Sequence, residues 1–147
     1  MVYYSSSTGG YNGSKWIYDG CTTDYAKSEV KYVVDAWALD KLKANDLKED
    51  KTGYSARLIT VDDLVDNLGY TIIDGNTYFT PTADVTPSWV YNSKYWYYTM
   101  SQYEDSSSIV WIVRVNGNVG GGSVHNNGGN YRLGSVRPVI TLLKSAI

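Results

Sequence analysis

A chain of 147 residues is long enough to close one core without a metal or disulfide staple, and its length predicts one domain over residues 1–147. With 13 Lys and Arg against 15 Asp and Glu, the formal net charge of -2 leaves no basic field of the kind that draws nucleic acid, so nucleic acid is not an expected partner. No apolar run reaches bilayer length, the first seven residues lack the regions of a signal peptide, and the single cysteine, Cys21, excludes an internal disulfide. A soluble chain without membrane insertion is expected, with Cys21 as a small half-buried residue.

Residues 1–21 are polar and rich in Tyr, Ser and Gly, with a strand expected around Lys15-Trp16-Ile17-Tyr18 and a turn at Asp19-Gly20. From Asp24 the pattern becomes helical: Val30, Val33, Val34, Trp37, Ala38 and Leu42 predict an amphipathic helix of about five turns. A polar link from Asn45 to Gly53 leads into an extended run, Tyr54 to Ile59. Thr60-Val61-Asp62-Asp63 then reads as a capping-box start to a second helix, with Val61, Leu64, Val65 and Leu68 buried and Gly69 as its stop.

Beyond Tyr70 the helical period is gone, and short β-prone runs are expected at Tyr70 to Ile73, Ser88 to Tyr91, Tyr95 to Ser101, Ile109 to Val115 and Val136 to Leu143. In the run from Ile109, alternation puts Trp111, Val113 and Val115 on one face and Val110, Ile112 and Arg114 on the other. Asn116-Gly117 supplies a hairpin turn. The stretch from Gly120 to Tyr131 reads as a loop from which no buried element could be built. The predicted core contains Val33, Val34, Trp37, Leu64, Leu68, Trp111 and Val139, and Trp96 and Trp111 are expected to serve as core rather than as ligand platforms.

This order of parts, with Arg57, Leu58, Thr60 and Asp63 opening the second helix, Tyr95 and Trp96 beginning the β half, and Gly134, Arg137 and Pro138 on the final strand, resembles the bacterial branch of the C-type-lectin-like domains. That branch includes formylglycine-generating enzymes and the variable ligand-binding proteins of diversity-generating retroelements. Ile59 stands where the family has proline, and two residues rather than one separate Gly134 from Arg137. The resemblance implies an α+β, C-type-lectin-like fold: two helices packed on a mostly antiparallel, twisted β half with long loops. Arg57 and Arg137 are expected to be half-buried fork donors that tie loops to carboxylates or carbonyls.

Catalytic chemistry is thinly supplied. The formylglycine-generating relatives use cysteines in the C-terminal half, where this chain has none, and Cys21 with His125 lacks an orienting partner. No enzymatic activity, cofactor or metal is therefore expected. Glu104 and Asp105 with Asn126, Asn127 and Asn130 would be a weak calcium set, while Asp62, Asp63 and Asp66 suit a helix start and its polar face.

The aromatic inventory points to recognition instead: 15 Tyr and 5 Trp against 1 Phe, among many Gly, Ser and Asn, is the mixture of binding loops. Polar and amphipathic residues collect in the C-terminal part, including Tyr97, Tyr98, Ser101, Asn118 and Asn127. Within them Tyr103, Glu104, Asp105, Arg114, Asn116, His125, Asn126, Asn130 and Tyr131 are expected to form one contiguous ligand-binding face. In the retroelement-diversified relatives this same stretch carries the variable residues. The expected function is recognition of a protein or glycan receptor by an adhesin-like domain, extracellular, on a cell surface or on a phage virion. The alternative is a structural subunit or head domain of a pilin-like or phage tail assembly, and association into an oligomer stays open.

Overall fold

The computed structural model describes residues 4, 10–11, 16–17, 22–72, 79–91, 94–104, 106, 108–124 and 134–147. Cys21 and the Asp19-Gly20 turn lie outside them. Within them the chain is α+β, with strands β1 (Gly10–Tyr11), β2 (Trp16–Ile17), β3 (Ala56–Leu58), β4 (Tyr70–Ile72), β5 (Phe79–Pro81), β6 (Tyr97–Gln102), β7 (Ile109–Val113), β8 (Val119–Ser123) and β9 (Pro138–Ile140). The helices are α1 (Glu29–Lys41), α2 (Val61–Asn67) and α3 (Ser88–Tyr91). Five strands form an antiparallel sheet in the order β4-β5-β8-β7-β6, β3 pairs with β9, and β1 pairs with β2.

The first helix is shorter than its periodicity suggested. Asp24 caps a single 3-10 turn, Tyr25–Lys27, and Ser28 then adopts extended backbone and caps α1 afresh through Lys31 N–H at 3.2 Å. Ser28 is itself buried, its hydroxyl donating to the Tyr25 carbonyl, so a cap inside the apolar period divides the segment. Val30 and Val34 are fully buried and Ala38 packs beside them, whereas Val33 and Trp37, expected inside, sit at the border, Trp37 at 36% exposure. Leu39, at 86%, and Tyr32 face outward. Apolar residues surround much of α1, so period alone does not select which stripe is buried.

The second helix follows its sequence closely. Thr60 and Asp63 form the reciprocal capping box, and Leu64 is buried with Val61 and Leu68 beside it; Val65, expected in the stripe, is exposed. Asp63 serves twice, because its carboxylate also receives both terminal nitrogens of Arg57, at 2.6 and 3.2 Å. The Arg57 Nε donates to Asp50 at 2.7 Å and Nη1 reaches the Leu58 carbonyl at 2.8 Å. Arg57 is 4% exposed and joins the 50–53 turn to the start of α2, a fork donor to carboxylates as its motif suggested. Burial pushes both carboxyls up, but hydrogen bonds from Thr52 and Arg57 to Asp50, and from Arg57 and Thr60 to Asp63, outweigh it and hold both below the ordinary value.

The sheet is covered on both faces. Val110 and Ile112 of β7 join Tyr4, Tyr25, Val30, Val34, Leu58 and Tyr98 in one cluster, with α1 on that side. Trp111 and Val113 join Leu64, Tyr70, Val90, Tyr97 and Val119 in the other, with α2 and α3. The expected alternation of β7 therefore holds from Val110 to Val113, but Val115 lies exposed in the following turn. Trp96 and Trp111 are half-buried against these clusters, and Val139 packs against the second.

Two expectations fail for identifiable reasons. Ser88 to Tyr91 is helical rather than extended: Pro87 accepts from Val90 N–H at 3.0 Å and opens one turn that buries Val90, overriding the β-propensity of Trp-Val-Tyr. The glycines from 120 to 122 lie in β8, an interior strand between β5 and β7, not in a loop. Neighbouring side chains occupy the space these glycines leave: a Cβ on Gly122 would stand 2.7 Å from Ile112 Cγ2, and one on Gly121 3.2 Å from the Tyr103 ring. The last run is also trimmed to Pro138–Ile140, followed by a Leu47–Leu142 bridge and a 3-10 turn. Among the described residues no helix is long and apolar enough to cross a membrane.

Candidate functional site

The loop from β6 to β7 is built around Ser106. Its amide donates to the Tyr103 carbonyl at 2.8 Å, and its hydroxyl accepts from the amides of Ser108 and Ile109 at 3.2 and 3.1 Å. Its carbonyl accepts from Gln102 Nε2 at 2.7 Å and Thr23 Oγ1 at 3.1 Å. These bonds tie Ser106 to Thr23, Gln102, Tyr103 and the start of β7. In the same loop Glu104 is exposed and held at φ 42°, the left-handed region that a side chain disfavours.

Tyr103 departs from the exposed contact expected of it. Its half-buried ring lies 4.4 Å from that of Trp111, centroid to centroid, and covers Gly121, so it acts as a lid on the sheet. Tyr103→Ala is expected to cost about 1 to 2 kcal/mol in urea unfolding, since it removes the ring packed on Trp111 and Gly121.

The Val124 amide donates to the Ser108 carbonyl at 2.9 Å, and Val124 itself is fully buried, so the end of β8 is fastened to this loop. Asp105, His125, Asn126, Asn127, Asn130 and Tyr131 lie outside the described residues. Arg114 and Asn116 are at the other end of β7, about 16 Å away at roughly 3.3 Å per strand residue. There Arg114 N–H donates to Asn118 O at 2.8 Å, Gly117 takes φ 86°, and the Asn116 side chain accepts from Asn118 N–H at 3.1 Å. The hairpin is the one its sequence predicts, and it places Arg114 and Asn116 at the opposite end of β7 from Tyr103 and Glu104. Tyr97 and Tyr98, counted with the polar surface, are buried in opposite cores because they alternate along β6.

The end of the sheet near Arg114 holds Arg137, half-buried as its motif suggests, with a partner that the sequence did not reveal. Arg137 Nη1 donates to the Trp89 carbonyl at 2.5 Å, as a fork donor to a carbonyl, and its guanidinium carbon lies 4.7 Å from the Tyr97 ring centre. Burial pushes the Tyr97 hydroxyl up to about 12 against the opposing pull of Arg137. Reading Ser88 to Tyr91 as a strand hid the outward placement of Trp89; Pro87 was the signal for a helical turn. Among the described residues no cluster of three His, Cys, Asp or Glu side chains could hold a metal ion. Comparison of the chain with protein-family models, with curated proteins and with solved structures gives no match.

Proposed function

We propose that this chain is a surface-recognition domain of the C-type-lectin-like fold that binds a protein or glycan receptor outside the cell or on a virion, without catalysing a reaction. The contacts among the residues that carry the family resemblance support the fold part of this reading. Arg57 grips Asp63 at the start of α2, and a Cβ on Gly134 would come within 2.6 Å of Trp96 and of Tyr98.

The observation that carries the functional part is Glu104: an exposed carboxylate in left-handed backbone beside Tyr103 and Ser106, which hydrogen-bond to each other. Side chains held in sparsely populated backbone regions cluster at ligand clamps and switch regions. Glu104→Gly therefore separates the two roles. Glycine relieves the backbone, so stability should stay level or rise by up to about 1 kcal/mol. Removal of a hot-spot carboxylate should weaken receptor binding by about 2 kcal/mol or more. Asp84→Gly, at the other left-handed side chain among the described residues, with φ 63°, is the control that should leave binding alone. Thermal melts paired with receptor titrations read both quantities, and unchanged binding by Glu104→Gly would remove the loop from the site.

A structural-subunit reading draws on a different observation, the outward Tyr32 and Leu39 with Val33 and Trp37 at their border. If the chain sediments as an assembly that Leu39→Glu disperses, that reading takes precedence.

A further inference from the structure

Arg137 is positioned from two sides. α3 holds it through the Trp89 carbonyl, and β6 holds it through the face of Tyr97, whose own hydroxyl donates to the Val90 carbonyl at 2.5 Å. Among the described residues it has no carboxylate partner, whereas Arg57 has two. A guanidinium offers five N–H donors in a planar fork, of which the Trp89 carbonyl and the Tyr97 hydroxyl take two. The indole of that same Trp89 is 63% exposed, although burying it would release more apolar surface than any other side chain of α3. A cation with donors to spare among the described residues is thus tied to the backbone of a residue whose indole is exposed.

We propose that Arg137 and Trp89 form a subsite for a carboxylate-bearing sugar, a uronic acid unit of an acidic glycan. The C–H face of the sugar ring would lie on the indole, and its carboxylate would take the remaining donors of Arg137 in a bidentate pair. A peptide carboxylate suits the place less well, because an extended peptide needs an open strand edge. The edge of β6 is taken: Tyr98 N–H donates to Ser135 O at 3.4 Å and Met100 N–H to Ile59 O at 3.0 Å. The subsite lies at the Arg114 end of the sheet, where Gly117 closes against Tyr91 of α3, and is independent of the Glu104 loop.

The test is an NMR titration of the full, labelled chain with sodium glucuronate, with methyl glucoside, sodium acetate and a short peptide with a free C-terminus as comparators. The Trp89 indole, assigned by its loss in Trp89→Phe, and the amides of Val90 and Arg137 are the reporters. Saturable shifts by glucuronate are expected, with about tenfold weaker binding of each comparator. Trp89→Ala and Arg137→Lys should each weaken glucuronate by about fivefold or more, while Glu104→Gly should leave it unchanged. Arg137→Lys keeps the positive charge, so a loss there reports the fork; should that variant fail to fold, the exposed Trp89→Ala decides alone. Equal response to glucuronate and any comparator, or wild-type binding by Trp89→Ala, would overturn the proposal.

Discussion

Replacing Arg57 by Met is expected to lower stability at neutral pH by about 3 to 5 kcal/mol, because it strands two largely buried carboxylates that share one guanidinium. Asp50 and Asp63 are 17% and 15% exposed at the side chain, so water reaches them too little to substitute for the lost donors. The effect has a defined pH dependence. Both carboxyls titrate below their ordinary value in the folded chain, so the unfolded chain binds protons first as pH falls. The stability contributed by the cluster is full above about pH 5 and is lost as pH drops through about 4 and then through the depressed folded values. Urea midpoints of wild type and Arg57→Met should therefore differ widely at pH 7 and converge toward pH 3. A gap that stays constant over this range would show that the carboxylates do not depend on Arg57.

Tyr98→Ala should cost a similar amount, about 3 to 5 kcal/mol, through the cavity left by a fully buried ring. Tyr98 stands edge-on to Tyr4 at 5.3 Å and to Trp96 at 5.0 Å, so one truncation loosens the N-terminal stretch, β6 and the approach of Gly134 together. Tyr98→Phe keeps the rings in contact and should recover much of the loss. If Tyr98→Ala unfolds at the same denaturant concentration as wild type, the described packing of β6 on α1's side of the sheet is wrong.

What the sequence made legible was local chemistry. The Thr60-Asp63 capping box and the Asn116-Gly117 turn each depend on a few consecutive residues, and both form as written. The expectations that failed depended on distant partners. Nothing near Gly120 announces that Tyr103 and Ile112 will cover the neighbouring glycines and make an interior strand of them. Val90 carries strand propensity but meets its core through a helical turn, and α1 offers two apolar faces of which packing takes one. The separation of Glu104 from Arg114 along the sheet was within reach, since a strand running from Ile109 to Val113 stands between them. Composition drew notice to Tyr and Asn but could not distinguish a tyrosine that covers a glycine from one that awaits a ligand.

The most direct test of the recognition reading is a glycan and surface-protein array probed with wild type, Glu104→Gly, Tyr131→Ala and the control Lys41→Ala, each checked first for an intact thermal transition. The account predicts a ligand that wild type and Lys41→Ala retain alike and that Glu104→Gly and Tyr131→Ala bind at least about tenfold more weakly while remaining folded. Equal retention of the same ligand by all four proteins would contradict it and give first place to a structural subunit.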